Sequence, residues 1–193
     1  VTIVRRCAFL LPMLLLFAAT ACAAQVSGEP IPAAGFYDNT TPPTQPRSTA
    51  VTQVRIATPR GTEGIDPCGL LAPVDLAEVG GPVGPPHPDS PIAGTCAHLL
   101  ASGTENTAAA GFYEPYQVVV TRQPRGVATD IEGHSAWLYC ELVNAHQTCT
   151  AATAIRTDRT LVTMLSVQGA SAADTSDQLF RLTTAALHKL PPA

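Results

Sequence analysis

The chain has 193 residues, with 11 basic and 15 acidic side chains and a net charge of −4. That balance argues against a nucleic-acid surface, which needs clustered lysine and arginine. The length sets one folded domain with room for a tail. Lysine occurs once, at Lys189, against ten arginines, and alanine is abundant; this is the bias of a GC-rich coding sequence, in which Val1 reads as a GTG start.

Arg5 and Arg6 precede an apolar run from Cys7 to Phe17, which closes on Ala18-Ala19-Thr20-Ala21-Cys22. A basic n-region, a short apolar h-region and a small-residue cleavage site make a secretory signal. The run is roughly 11–15 residues, short of the ~20 of a membrane-spanning helix. Cysteine directly after small residues makes residues 1–21 a lipoprotein signal and Cys22 the acylated residue. A thioether-linked diacylglycerol on Cys22 and a palmitate-type chain on its amino group would supply the two or more chains that stable anchoring requires. Ala19-Thr20-Ala21 also satisfies the ordinary cleavage rule, so free secretion is the alternative. Without Arg5 and Arg6 the mature chain keeps nine basic groups against fifteen acidic ones.

Residues 22–64 follow as a tether. Pro30, Pro32, Pro42, Pro43, Pro46 and Pro59 alternate with Thr, Ser, Gly and Gln, and no helical or strand period persists. Such a segment cannot bury enough apolar surface to offset its ordering entropy. Its r.m.s. reach is roughly 35–40 Å if flexible. Within it, only residues 51–57 have strand character, enough for an added edge strand.

The folded domain is expected over residues 65–193. Asp66-Pro67-Cys68 is a helix entry, with an acidic cap and proline at the first position. Ala72-Pro73 restarts a helix over residues 74–79, stopped by Gly80-Gly81-Pro82. A proline- and glycine-dense loop spans 83–94. Strands are expected over 95–102, over 116–121 with its triple valine, and over 135–143. Residues 103–110 read as a small, polar turn region. Residues 123–126 and 132–133 punctuate the next connection. Residues 148–156 and 160–168 make a hairpin around Thr157-Asp158-Arg159. The last element is an amphipathic helix capped at Asp174 or Ser176, with Leu179, Leu182, Ala186 and Leu190 on one face and Phe180 and Leu187 alongside. The expected fold is α+β: an antiparallel sheet of about four to six strands, with a short N-terminal helix and the C-terminal helix packed on it.

With Cys7 removed and Cys22 acylated, Cys68, Cys96, Cys140 and Cys149 remain, enough for two disulfides in three possible pairings. If Asn144-Ala145 is a two-residue turn, Val143 faces His146 and Cys140 stands opposite Cys149. That is a non-hydrogen-bonded position, with Cα atoms ~4.5 Å apart. Cys68 then joins Cys96. No Cys-x-x-Cys spacing suggests zinc instead.

The signal, the proline-rich tail and the run Asp66-Pro67-Cys68-Gly69-Leu70-Leu71 resemble one family, the actinobacterial envelope lipoproteins with domain of unknown function 3558. The match extends to a second cysteine at Cys96, a bend at Gly133-His134 and the closing helix. The chain departs from it at His98, where tryptophan is frequent, and at Ala173-Asp174, where a cysteine is frequent. That missing cysteine would have bonded Cys149, so Cys140 would be its local replacement. The resemblance implies a location and a fold and no activity.

His87, His98, His134, His146 and His188 lack the i, i+4 or alternating spacing of a metal site, and no cofactor motif is present. Asp130, His134 and Ser135 hold the letters of a catalytic triad without its nucleophile elbow. Glu132, Glu141 and Asp158 show no paired-carboxylate spacing. Phe112, Tyr113, Tyr116, Trp137 and Tyr139 form an aromatic set for the core, of which Phe112, Tyr113 and Trp137 are candidates for an apolar cleft or partner surface. The expectation is a non-catalytic, lipid-anchored protein on the extracytoplasmic face that binds a protein or glycan partner. A carrier or sensor of an apolar ligand is the alternative, and a hydrolase around His134 and Ser135 ranks below both.

Overall fold

A computed structural model describes residues 53–193. The signal, Cys22 and most of the tether lie outside the described residues. The centre of the fold is β5 (His134–Val143), whose first half alternates buried and half-buried positions, with β6 (His146–Arg156) and β7 (Arg159–Gln168), which are buried on both faces over most of their length. They belong to a seven-stranded antiparallel sheet of order β1-β2-β3-β7-β6-β5-β4. The others are β1 (His87–Pro88), β2 (Thr95–Leu99), β3 (Thr107–Tyr113) and β4 (Val127–Ile131).

Seven strands exceed the expected four to six, and the excess has a physical origin. The stretch read as a polar turn, residues 103–110, holds the first half of β3, whose Ala108, Ala109 and Ala110 are buried without being β-branched. Small side chains there let β2 approach. A Cβ on Gly111 would run into the backbone of Gly94 and Thr95. The connection read between residues 126 and 132 holds β4, a short edge strand with mostly open side chains. In the opposite sense, the triple-valine stretch expected as a strand is a helix, α2 (Tyr116–Arg122). Pro115 caps it, and its carbonyl accepts from Val118 and Val119. Burial of Tyr116 and Val119 against the sheet outweighs the β preference of valine.

The long helix α3 (Ala172–His188) lies on one face of the sheet, against β6 and β7. Its cap is Ser171, upstream of the expected Asp174 or Ser176. The Ser171 hydroxyl accepts from the Asp174 N–H at 3.1 Å and donates to the Asp174 carboxylate at 2.7 Å. Leu179, Leu182, Ala186, Leu187 and Leu190 pack on Ala136, Leu138, Ala151, Leu161 and Leu165, so this inner face carries the main core. The chain enters through a 3-10 turn at Pro67–Gly69, capped by Asp66, and α1 (Pro73–Leu76). A further 3-10 turn follows at Ala77–Val79, ended by Gly80 at φ 111°. Lys189 ties this end to α3, bonding both the Asp75 carboxylate and the Leu70 carbonyl. Burial pushes the Asp75 carboxyl up, but Lys189 and the Ala72 N–H outweigh it and leave the group below its ordinary value.

Both disulfides are present, Cys68–Cys96 and Cys140–Cys149. Cys140 and Cys149 face each other across β5 and β6 with Cα atoms 4.1 Å apart, and Val143 faces His146 over the Asn144-Ala145 turn.

Residues 53–64, read as tether, are hydrogen-bonded to the domain. The Arg55 carbonyl accepts from Ser135 at 2.8 Å, and the Arg60 N–H donates to Ile155 at 3.1 Å. Arg55 thus lies beside Ser135, one residue beyond Ala136–Thr153, where the β5–β6 ladder ends. The described part of the segment bonds β5 at Ser135 alone, through the Arg55 carbonyl and N–H, in place of an edge strand.

Candidate functional site

The aromatic candidates divide between the two faces. Phe112 and Tyr113 are consecutive in β3, so their side chains alternate. Phe112 packs on the main core; Tyr113 and Trp137 pack with Val119, Ala152 and Val162 under α2 on the outer face. Trp137 is clamped there. Its indole N–H donates to the Gln123 carbonyl at 2.8 Å, and the ring occupies the space that a Cβ on Gly126 would take. Tyr116 is buried, with its hydroxyl bonded to Ala136 at 3.3 Å and its phenol pushed up by burial. Phe112, Tyr113 and Trp137 therefore do not line one surface.

Phe112 and Tyr113 nevertheless meet at the end of β3. There they border an open cleft of about 510 Å³ with Ala93, Glu114, Asp158 and Arg159. Helix α2 carries Arg122 back over this strand end. Its guanidinium donates to the Tyr113 hydroxyl at 2.7 Å, lies 6.0 Å from the ring centre, and pairs with the Glu114 carboxylate. The Glu114 carbonyl accepts from the Thr160 hydroxyl at 3.0 Å, which joins the rim to β7. On the opposite rim is the β6–β7 turn, where Arg156 and Arg159 are direct cross-strand partners. Asp158 pairs with Arg156 at 3.1 Å, and Arg159 has no ion-pair partner among the described residues.

Beyond the Pro91–Ile92 loop is a smaller hollow of about 90 Å³ on the outer face, floored by Ala109, Thr150, Val162 and Met164 and walled by Tyr139. These residues form cross-strand rungs, Ala109–Met164–Thr150–Tyr139, which alternation places away from α3.

Asp130, His134 and Ser135 are close in sequence, but His134 bonds different partners from the other two. His134 and Ser135 are consecutive in β5 and point to opposite faces. The His134 Nδ1 bonds the Ala154 carbonyl at 2.8 Å, the Ser135 hydroxyl accepts from the Arg55 N–H at 2.9 Å, and Asp130 pairs with Arg55. His146 lies between the Asn144 and Thr104 carbonyls, and His188 pairs with Glu132 at 2.8 Å. Glu141 lies 3.9 Å from Arg125. His98 is buried on β2, and its Nε2 has no hydrogen-bond partner among the described residues. Burial, then His87 and Lys189, hold its pKa below the ordinary histidine value. Among the described residues no three His, Cys, Asp or Glu side chains converge on a metal position, and no helix is long and apolar enough to cross a membrane.

Sequence reasoning missed Glu114, Arg122 and Arg159 as rim residues. The available signal was Pro115, a helix entry that turns Arg122 back over Tyr113; reading the valines as a strand carries Arg122 away from it. Comparisons with family models, curated proteins and solved structures find no match.

Proposed function

We propose that this chain is a lipid-anchored envelope protein whose disulfide-braced, non-catalytic domain binds a protein or glycan partner through the cleft beside Tyr113. The observation that carries this reading is the Arg122–Tyr113–Glu114 arrangement, which holds an aromatic ring at the rim of a space within the ~300–1,000 Å³ of ligand sites. Anchoring follows from the signal and from Cys22, and it suits a domain that meets its partner near a membrane. The outer-face hollow, at about 90 Å³, is small for an apolar ligand, which ranks the carrier reading lower. Strand alternation points His134 and Ser135 to opposite faces, which ranks the hydrolase reading lowest.

A photo-cross-linking residue at Ala93, on the cleft rim, tests the reading in intact cells. One discrete adduct that disappears with Arg159→Glu is expected; no adduct above background removes the reading. Labelling with a palmitate analogue tests the anchor separately, and incorporation that survives Cys22→Ala overturns it.

A further inference from the structure

We propose that the open edge of β5, residues 139–143, is a docking site for an extended segment of a partner protein, added antiparallel as one more strand. This surface is apart from the cleft beside Tyr113 and does not depend on it. The strand register defines the edge. β5 pairs with β6 from Ala136 to Val143, but β4 ends at Val127, opposite Leu138. The chain before Val127 turns aside, with the Gly126 N–H on the Gln123 carbonyl at 3.0 Å. Residues 139–143 therefore have a strand on one side only.

Parity identifies the unpaired groups. Glu132-Gly133 and Asn144-Ala145 are two-residue turns, so Ile131–His134 and Val143–His146 are the hydrogen-bonded pairs that close them. Counted from either turn, Glu141 and Val143 direct their N–H and C=O toward β6, while Cys140 and Leu142 direct theirs to the open side. The Ser135 N–H, which points away from β4 to bond Arg55, obeys the same parity. Among the described residues nothing bonds the main chain of Cys140 or Leu142 from the open side. Two hydrogen-bonded rungs are thus available to a strand of about five residues, or roughly 17 Å. Unpaired main-chain groups in a row are a template for an added strand.

Side chains set the chemistry of that strand. Leu142 is 71% exposed and Val143 43%, where an edge is ordinarily blunted by charge or proline. Residues opposite Cys140 and Leu142 lie on their apolar face, and the residue between them meets Glu141 on the other face. The Glu141 carboxylate lies 3.9 Å from Arg125, beyond hydrogen-bond reach, and accepts no hydrogen bond among the described residues. A lysine or arginine fits opposite it. The same carboxylate disfavours a second copy of this chain. The antiparallel self-pairing that uses both rungs sets Glu141 against its own counterpart, and like charges directly opposite destabilise a strand pair.

Amide hydrogen exchange on the full chain, with the peptide acetyl-Thr-Val-Lys-Val-Thr-amide as probe, tests this. In the chain alone the Cys140 and Leu142 amides should exchange faster than those of Glu141 and Val143. Protection of Cys140 and Leu142 at low chain concentration would mean that the chain covers its own edge; protection that grows with chain concentration would mean a second copy. Either overturns the proposal. Millimolar peptide should slow both amides, and no slowing overturns it too. Glutamate in place of the peptide's lysine should weaken binding roughly fivefold. N-methylation of both valines should abolish it, since their N–H groups are the donors to Cys140 and Leu142. Glu141→Lys, an exposed change, should reverse the preference between the lysine and glutamate peptides with an unchanged thermal melt. Equal slowing by the N-methylated peptide, or a preference that Glu141→Lys leaves as it was, overturns strand addition at this edge.

Discussion

The Trp137 indole lies where a Cβ on Gly126 would be, and the Gln123 carbonyl holds it there by accepting from both the indole and the Gly126 N–H, at 2.8 and 3.0 Å. The turn before β4 is thus shaped around one side chain of β5. Gly126→Ala should cost about 1–3 kcal/mol, because the ring must leave its rotamer or the turn must open. Urea unfolding followed by the fluorescence of the single tryptophan measures this directly. A midpoint equal to the wild type would show that the ring moves freely.

The two disulfides close loops of different length, with sequence separations of 28 and 9. The chain-entropy model assigns about 3.5 kcal/mol to the longer and about 2.7 kcal/mol to the shorter. Paired alanine substitution of Cys68 and Cys96 should therefore lower stability more than that of Cys140 and Cys149. Denaturant midpoints in the opposite order would mean that strain or residual unfolded structure outweighs loop closure.

His98 should make stability depend on pH near neutrality. Its folded pKa lies below the ordinary value because burial, with His87 and Lys189 nearby, disfavours the imidazolium. As pH falls through the unfolded value of ~6.5, the unfolded chain takes a proton that the folded chain refuses. Stability is then lost with falling pH, down to the folded pKa. His98→Phe should flatten that slope in urea midpoints collected between pH 5 and pH 8. An unchanged slope would assign it to other groups.

Thr153 is fully buried on the inner face, and its hydroxyl has no hydrogen-bond partner among the described residues. Thr153→Val keeps the shape and replaces an unpaired polar group with a methyl. Stability should rise by about 1 kcal/mol, as burying an unsatisfied hydroxyl costs roughly that or more. A drop in thermal midpoint would show that the hydroxyl is satisfied in solution.

These sites show where local pattern suffices and where it fails. The hairpins of β5, β6 and β7 are legible because each strand is long and bounded by turn residues, and α3 because its apolar positions repeat at helical spacing. The Cys140–Cys149 pairing follows from the Asn144-Ala145 turn by counting alone. β3 is not legible, since Ala108-Ala109-Ala110 carries no strand preference and its burial comes from β2 and β7 on either side. α2 is misread for the reverse reason: valine prefers strands, while its contacts with β5 and β6 favour a helical turn. The cleft depends on both. It exists only where the end of β3 meets the return of α2 and a distant hairpin, and no segment alone encodes that meeting.

The Cys140–Cys149 rung has a consequence beyond stability. Side chains in a strand alternate with a period of two, so sliding β5 past β6 by one residue would exchange the two surfaces of the sheet. Ala136 and Leu138 would turn toward α2, and Trp137 and Tyr139 toward α3. A covalent bond at one rung forbids every such slip, and it sits four rungs from Ala136–Thr153, where the ladder ends. The bond therefore fixes parity: it decides, permanently, which residues this strand pair gives to the core and which it shows to the outside.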